Sequence, residues 1–105
     1  MLPNIIDRQL LKDATTGVGD AVELNGVRTF TAYIVGNGAV SAGAVQLEQA
    51  HRRDYTGTWA PLGAVTTVVA NTVAAIPTTG TAKAVRARVT TPITGGTVTV
   101  LLVAN

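Results

Sequence analysis

The stretch from Ala82 to Val103 constrains the fold more than any other part of the chain. Ala82-Lys83-Ala84-Val85-Arg86-Ala87-Arg88-Val89-Thr90 alternates at period two, and Thr97-Val98-Thr99-Val100-Leu101-Leu102-Val103 does so again. Between them lies Thr91-Pro92-Ile93-Thr94-Gly95-Gly96. Successive side chains of a strand point to opposite faces, so such alternation marks strands with one buried face. Two such runs around a Pro/Gly segment predict a hairpin. Val85, Ala87, Val89, Val98, Val100 and Leu102 are predicted to form its inner face, and Arg86 and Arg88 to mark its outer one.

The rest of the chain repeats the pattern in shorter pieces. Ile5 to Leu11 reads as an extended arm or an edge strand, and Thr15 to Asp20 as a loop. Ala21 to Leu24 is a short strand before Asn25-Gly26, a strong hairpin-turn dipeptide. Arg28 to Val35 follows, with Phe30, Ala32 and Ile34 on one face and Thr29, Thr31, Tyr33 and Val35 on the other. Its β-branched and aromatic residues suit a pleated surface. Gly36-Asn37-Gly38 reads as a turn, and Ala42 to Gln49 as a strand with Val45 and Leu47 inward and Gln46 and Glu48 outward. After the polar loop His51 to Gly57, Thr58 to Leu62 resumes the sheet. Pro61 has no amide hydrogen, which makes this strand short or places it at an edge. Val65 to Val69 and Asn71 to Ile76 are two further strands, the second ending at a Pro77-Thr78-Thr79-Gly80 turn. Eight or nine short strands and near-zero helix predict an all-β chain, a two-sheet antiparallel β-sandwich of jelly-roll type. A small closed barrel is the alternative. Residues 1–20 form an N-terminal arm and loop, or an edge strand, and residues 21–105 the sandwich.

A chain of 105 residues fits one domain. Only 13% of it is charged, although 47% is hydrophobic, and threonine takes the place of the usual lysine and glutamate. We read this as a surface partly covered by a partner or by other copies. A dispersed net charge of +2 argues against nucleic acid as a partner. Cysteine is absent, so disulfides and thiolate chemistry are excluded. The first residues lack the basic-then-apolar pattern of a secretory signal, and no apolar run is long enough to span a bilayer, which predicts a protein made in the cytoplasm with no membrane contact.

Six residues are candidates for contact with a partner. Arg52, Arg53 and Tyr55 sit in the polar loop beside His51 and Asp54, where a guanidinium fork suits a carboxylate. The alternative is a solvated tip. Tyr33 falls on the face opposite Phe30, at a rim or an interface. Arg86 and Arg88 make a positive stripe whose cross-strand partners would be Glu48 or Glu23, or a neighbouring subunit. Trp59, the single tryptophan, is expected to plug the space between the sheets; stacking on a sugar is the alternative. The sequence holds no catalytic set: Ser41 is the only serine, the six acids are dispersed, and Gly17-x-Gly19 and Gly36-x-Gly38 are not followed by helices. One histidine without cysteine makes no zinc site, and Asp54-x-x-Gly57 lacks the oxygen ligands of a calcium loop. No enzyme activity, cofactor or metal is expected.

The order Val45-Gln46-Leu47-Glu48, a polar loop, Gly57-Thr58-Trp59-Ala60-Pro61-Leu62-Gly63, a threonine/valine strand, Val85-Arg86-Ala87-Arg88-Val89-Thr90 and Gly95-Gly96-Thr97-Val98-Thr99-Val100 resembles small β-sandwich virion proteins of tailed bacteriophages. The likeness spans roughly Val22 to Val103, and departs from the family pattern at Gln49 to Asp54. Several such proteins are capsid decoration, or cement, proteins. The resemblance implies a structural protein on the outer capsid surface of a virion. Its implied partners are the major capsid protein lattice and copies of itself, as a homo-oligomer such as a trimer. In that role residues 1–13 would be an arm reaching a neighbour. A carbohydrate-binding or fibre-type module, and a tail or neck component, are the alternatives.

Overall fold

The computed structural model describes residues 6–24, 29–79 and 83–104. These contain seven strands and no helix: β1 (Ile6–Ala14), β2 (Val22–Glu23), β3 (Thr29–Ala50), β4 (Ala60–Pro61), β5 (Thr66–Thr67), β6 (Val73–Thr79) and β7 (Ala84–Ala104). All pairings are antiparallel and all seven strands belong to one sheet. The chain is therefore all-β, as its alternation predicts. The Asn25-Gly26 turn lies outside the described residues, as do Arg28 and Gly80.

The frame of the molecule is β3 against β7, in register from Phe30↔Ala104 to Ala50↔Ala84. This corrects the predicted C-terminal hairpin. Its two halves do not pair with each other. Val85, Arg86, Ala87, Arg88 and Val89 pair with the C-terminal half of β3, and Thr97 to Val103 with its N-terminal half. Thr91 to Gly96 does not reverse the chain; it carries β7 through a bend while pairing continues. Gly36-Asn37-Gly38, also predicted as a turn, lies inside β3 opposite the same bend. Three register shifts between Gly38 and Val45 mark the place, and extra residues in one strand of a pair bend it and increase its twist. Gly38 and Gly95 have positive φ (77° and 81°), a region open to glycine, and a Cβ on Gly95 would strike the carbonyl oxygen of Ala39. Nine predicted runs thus become seven strands, because four of them are the halves of β3 and β7.

Two further differences have local causes. β6 runs through Pro77, where a turn was predicted. The Gly36 amide donates to the Thr72 carbonyl at 2.9 Å. Hydrogen-bonded positions alternate along an antiparallel pair, so Val73, Ala75 and Pro77 turn their backbone polar groups to the free edge. Pro77 then forfeits no ladder bond. At the N-terminus the edge-strand reading applies, since Ile6 to Ala14 pairs with β7. A register shift between Gln9 and Leu11 leaves Leu10 as an extra residue, and both Leu10 and Leu11 are buried. The segment expected to reach a neighbour as an arm is, from Ile6 onward, part of this sheet.

One core cluster draws on both halves of the bent sheet. Phe30, Ala32 and Ile34 meet Val98, Val100 and Leu102 from one half, and Val45 and Leu47 meet Val85 and Ala87 from the other. These are the inner faces that alternation predicts. Burying each larger side chain stabilises the fold by about 1.5–3 kcal/mol. Val89 packs against the cluster while partly exposed, and Lys83 is exposed before β7 begins.

Candidate partner-binding surface

The outward residues of β3 and β7 follow directly from register. Gln46 lies opposite Arg88 and Glu48 opposite Arg86, so all four share the face away from the core. Glu48 is nearly buried there and holds both arginines: Arg86 Nε lies 2.9 Å from Oε1, and Arg88 Nε 3.3 Å from Oε2. Of the two expected acidic partners, Glu48 is thus the one for both. A buried carboxylate needs its charge matched and its lone pairs used, and two guanidinium groups do both. The arginines differ in exposure: the Arg86 side chain is 23% exposed and Arg88 48%. Arg86 is spent on internal contacts, whereas Arg88 keeps half its surface for solvent or a partner.

Trp59 completes the arrangement from above. It is buried, but it stands outside the core cluster. Its ring covers the outer face, with the Arg86 guanidinium carbon 4.3 Å from the ring centroid, a cation–π contact. This corrects the expectation of a plug between two sheets, and a buried ring is not free to stack on a sugar. Trp59 Nε1 donates to the Tyr55 carbonyl at 3.0 Å, fixing the end of the polar loop. Gln46 fixes the return: its Nε2 donates to the carbonyls of Leu47 (2.9 Å) and Gly63 (3.0 Å), while the Leu62 amide donates to Leu47 O (2.8 Å). No described buried side-chain polar atom is left without a partner.

The loop itself is open to solvent. Arg52 pairs with Asp54 at 3.4 Å, with both side chains well exposed, a contact of little energetic weight. The His51 and Tyr55 rings lie 4.9 Å apart and tilted. Arg53 makes no ion pair among the described residues and lines a shallow cleft with Arg8, Ala21, Val22 and Glu23. The sequence candidates therefore divide. Arg86 and Tyr55 are linked through Trp59, and Arg86 and Arg88 through Glu48, with Arg52 and Arg53 on the adjoining loop. Tyr33 belongs elsewhere, on the outer face of the other half, beside Ala75 and Leu101.

The sequence reading placed Thr31, Tyr33 and Val35 on this second outer face but missed the strands that extend it. Its columns are Thr31, Tyr33 and Val35 of β3, Val73, Ala75 and Pro77 of β6, and Thr99, Leu101 and Val103 of β7. The signal was present: Val100-Leu101-Leu102-Val103 and Val73-Ala74-Ala75-Ile76 are apolar at both parities, a pattern of strands covered on both faces. Among the described residues no group of three or more acidic or histidine side chains is placed to hold a metal ion. No family model, curated protein or solved structure matches the chain.

Proposed function

We propose that this chain is a structural virion protein, a capsid decoration (cement) protein that binds and stabilises the outer surface of a phage head. The arrangement of Glu48, Arg86, Arg88 and Trp59 carries this reading. It is a face whose side chains are fixed before any partner arrives, with Arg88 half-exposed, and the polar loop that follows β3 adds Arg53, which lines a cleft with Arg8 and Glu23. A pre-ordered polar face loses little side-chain freedom on docking, which suits permanent attachment to a preformed lattice of coat protein. We read the bent sheet as two layers closed on one core, a jelly-roll-like sandwich in which both outer faces are available for contacts. The complement that Arg53 and Arg88 would fit is a patch of carboxylates on the coat lattice.

The test is electron microscopy of the virion that encodes the chain, with and without it. Density at symmetry-related positions over the outer shell supports decoration, and density at one vertex or along the tail refutes it. Arg53→Glu combined with Arg88→Glu is expected to lower shell occupancy at least tenfold.

A further inference from the structure

We propose that Pro77 is a guard residue, which keeps the uncharged edge of β6 from pairing with β6 of a second copy. The inference is independent of the virion role. Among the described residues β6 pairs only with β3, so its other side is a free edge. The strand is 7 residues long, carries no charged residue, and pairs without a register shift from Thr29↔Thr79 to Val35↔Val73. The backbone groups of Val73, Ala75 and Pro77 point outward, and these residues are exposed, whereas Ala74, Ile76 and Thr78 between them are half-buried. A regular, uncharged edge with open amide and carbonyl groups is a template for another strand.

The long edge strand on the other side of the sheet is protected by other means. β1 carries Arg8, Lys12 and Asp13, and register shifts interrupt it on both sides of Leu11. β6 has neither charge nor bulge. Its one residue that can break a ladder is Pro77.

The position of Pro77 decides what the edge can do. A two-fold pairing over the full length of β6 would set Val73 opposite Thr79 of the other copy, and Ala75 opposite Pro77. That register keeps Ala74 and Ile76 on the core side, and a slip by one residue would turn them out. The N–H groups of Val73, Ala75 and Thr79 would each find an acceptor. Pro77 has no N–H for the facing Ala75 carbonyl, and its ring carbons fill the space which that carbonyl would enter. The axis would pass between the two Ile76 residues, so symmetry repeats the fault on both sides of it, at the middle of the ladder. Registers that leave Pro77 out have only Val73 and Ala75 to pair, because Asn71 has already turned away at φ 49°. About four hydrogen bonds then remain, too few to offset the cost of association. Within its own copy Pro77 stands opposite Thr31 in a pair that exchanges no hydrogen bonds, so the guard disturbs nothing in the fold.

Substitution that restores the N–H tests this on the full chain. Sedimentation velocity from about 10 μM to about 1 mM would compare the wild type with Pro77→Val and Pro77→Ala. Both variants are expected to associate at least tenfold more tightly than the wild type, with far-UV circular dichroism reporting that each is folded. Ala75→Lys added to Pro77→Val sets like charges near the axis and is expected to return association to the wild-type level. Hydrogen exchange locates the contact: the outward Ala75 amide should exchange fast in the wild type and become protected in associated Pro77→Val. Folded Pro77→Val and Pro77→Ala chains that associate no more than the wild type would overturn the proposal. So would association that Ala75→Lys leaves untouched, or a wild-type Ala75 amide already protected. None of these measurements involves a shell, so their outcome and that of the electron microscopy are read separately.

Discussion

Glu48 shows how one residue can fix a surface. Its carboxylate is nearly buried and serves two arginines, one of which also lies over Trp59. Glu48→Ala would leave Arg86 facing a dry wall without a counter-charge, and removing one partner of a buried pair is costly. With both arginines partly exposed the loss is expected at about 2–3 kcal/mol in urea unfolding. Arg88→Ala, on the half-exposed arm, should cost under about 1 kcal/mol. Gln46 acts on the loop rather than the sheet. Gln46→Ala frees the carbonyl of Gly63 and loosens the return that follows Trp59 in the chain. Trp59 fluorescence should then move to longer wavelength and become open to acrylamide, whereas the wild-type ring is shielded. The alternation put Gln46 and Glu48 outward, but not under cover: period two tells which face a side chain takes, while a loop folding back over that face is a long-range event.

At the scale of elements, the two long strands carry the lesson. Val85-Arg86-Ala87-Arg88-Val89 and Thr97 to Val103 were legible as strands, down to their inner and outer residues. Their connection was not. Glycine and proline between two apolar runs signal a change of direction, and a hairpin and a bulged bend use the same residues for it. What separates them is the pairing partner, here β3, which lies far off in sequence. The bend depends on Gly95. Gly95→Ala puts a Cβ against the Ala39 carbonyl and forces an L-residue to positive φ, at an expected cost of about 2–4 kcal/mol in denaturant unfolding. Edge strands should be the soft parts. Hydrogen exchange is expected to be slowest in the β3–β7 ladder and faster in β6, which pairs on one side only.

The whole molecule is built from pairings between distant segments. β3 waits for β7, and β1, the first strand made, pairs with β7, the last. Non-local pairing slows folding, so refolding is expected on the millisecond-to-second scale in stopped-flow measurements. The same topology makes the N-terminal strand structural: deleting residues 1–14 removes Leu10 and Leu11 from the core and is expected to leave a chain without cooperative unfolding. Loss of shell binding in such a deletion would report on folding before it reported on any arm. The two outer faces differ in chemistry: one is set with the Glu48–Arg86–Arg88 charges, the other is largely apolar around Tyr33, with Asp13 bonded to Asn37 beside Thr99.

The register that sets Ile6 opposite Ala104 has a mechanical meaning. A load applied to the two ends of the sheet would fall on that pair first and pass to the next only when it parted. β1 would peel from β7 one rung at a time, under small force, until Leu10 and Leu11 were drawn from the core. A load entering through the arginine face would instead be shared by the β3–β7 ladder at once. The fold is therefore directional under load: weak when β1 and the end of β7 are drawn apart and stiff when loaded through its broad sides.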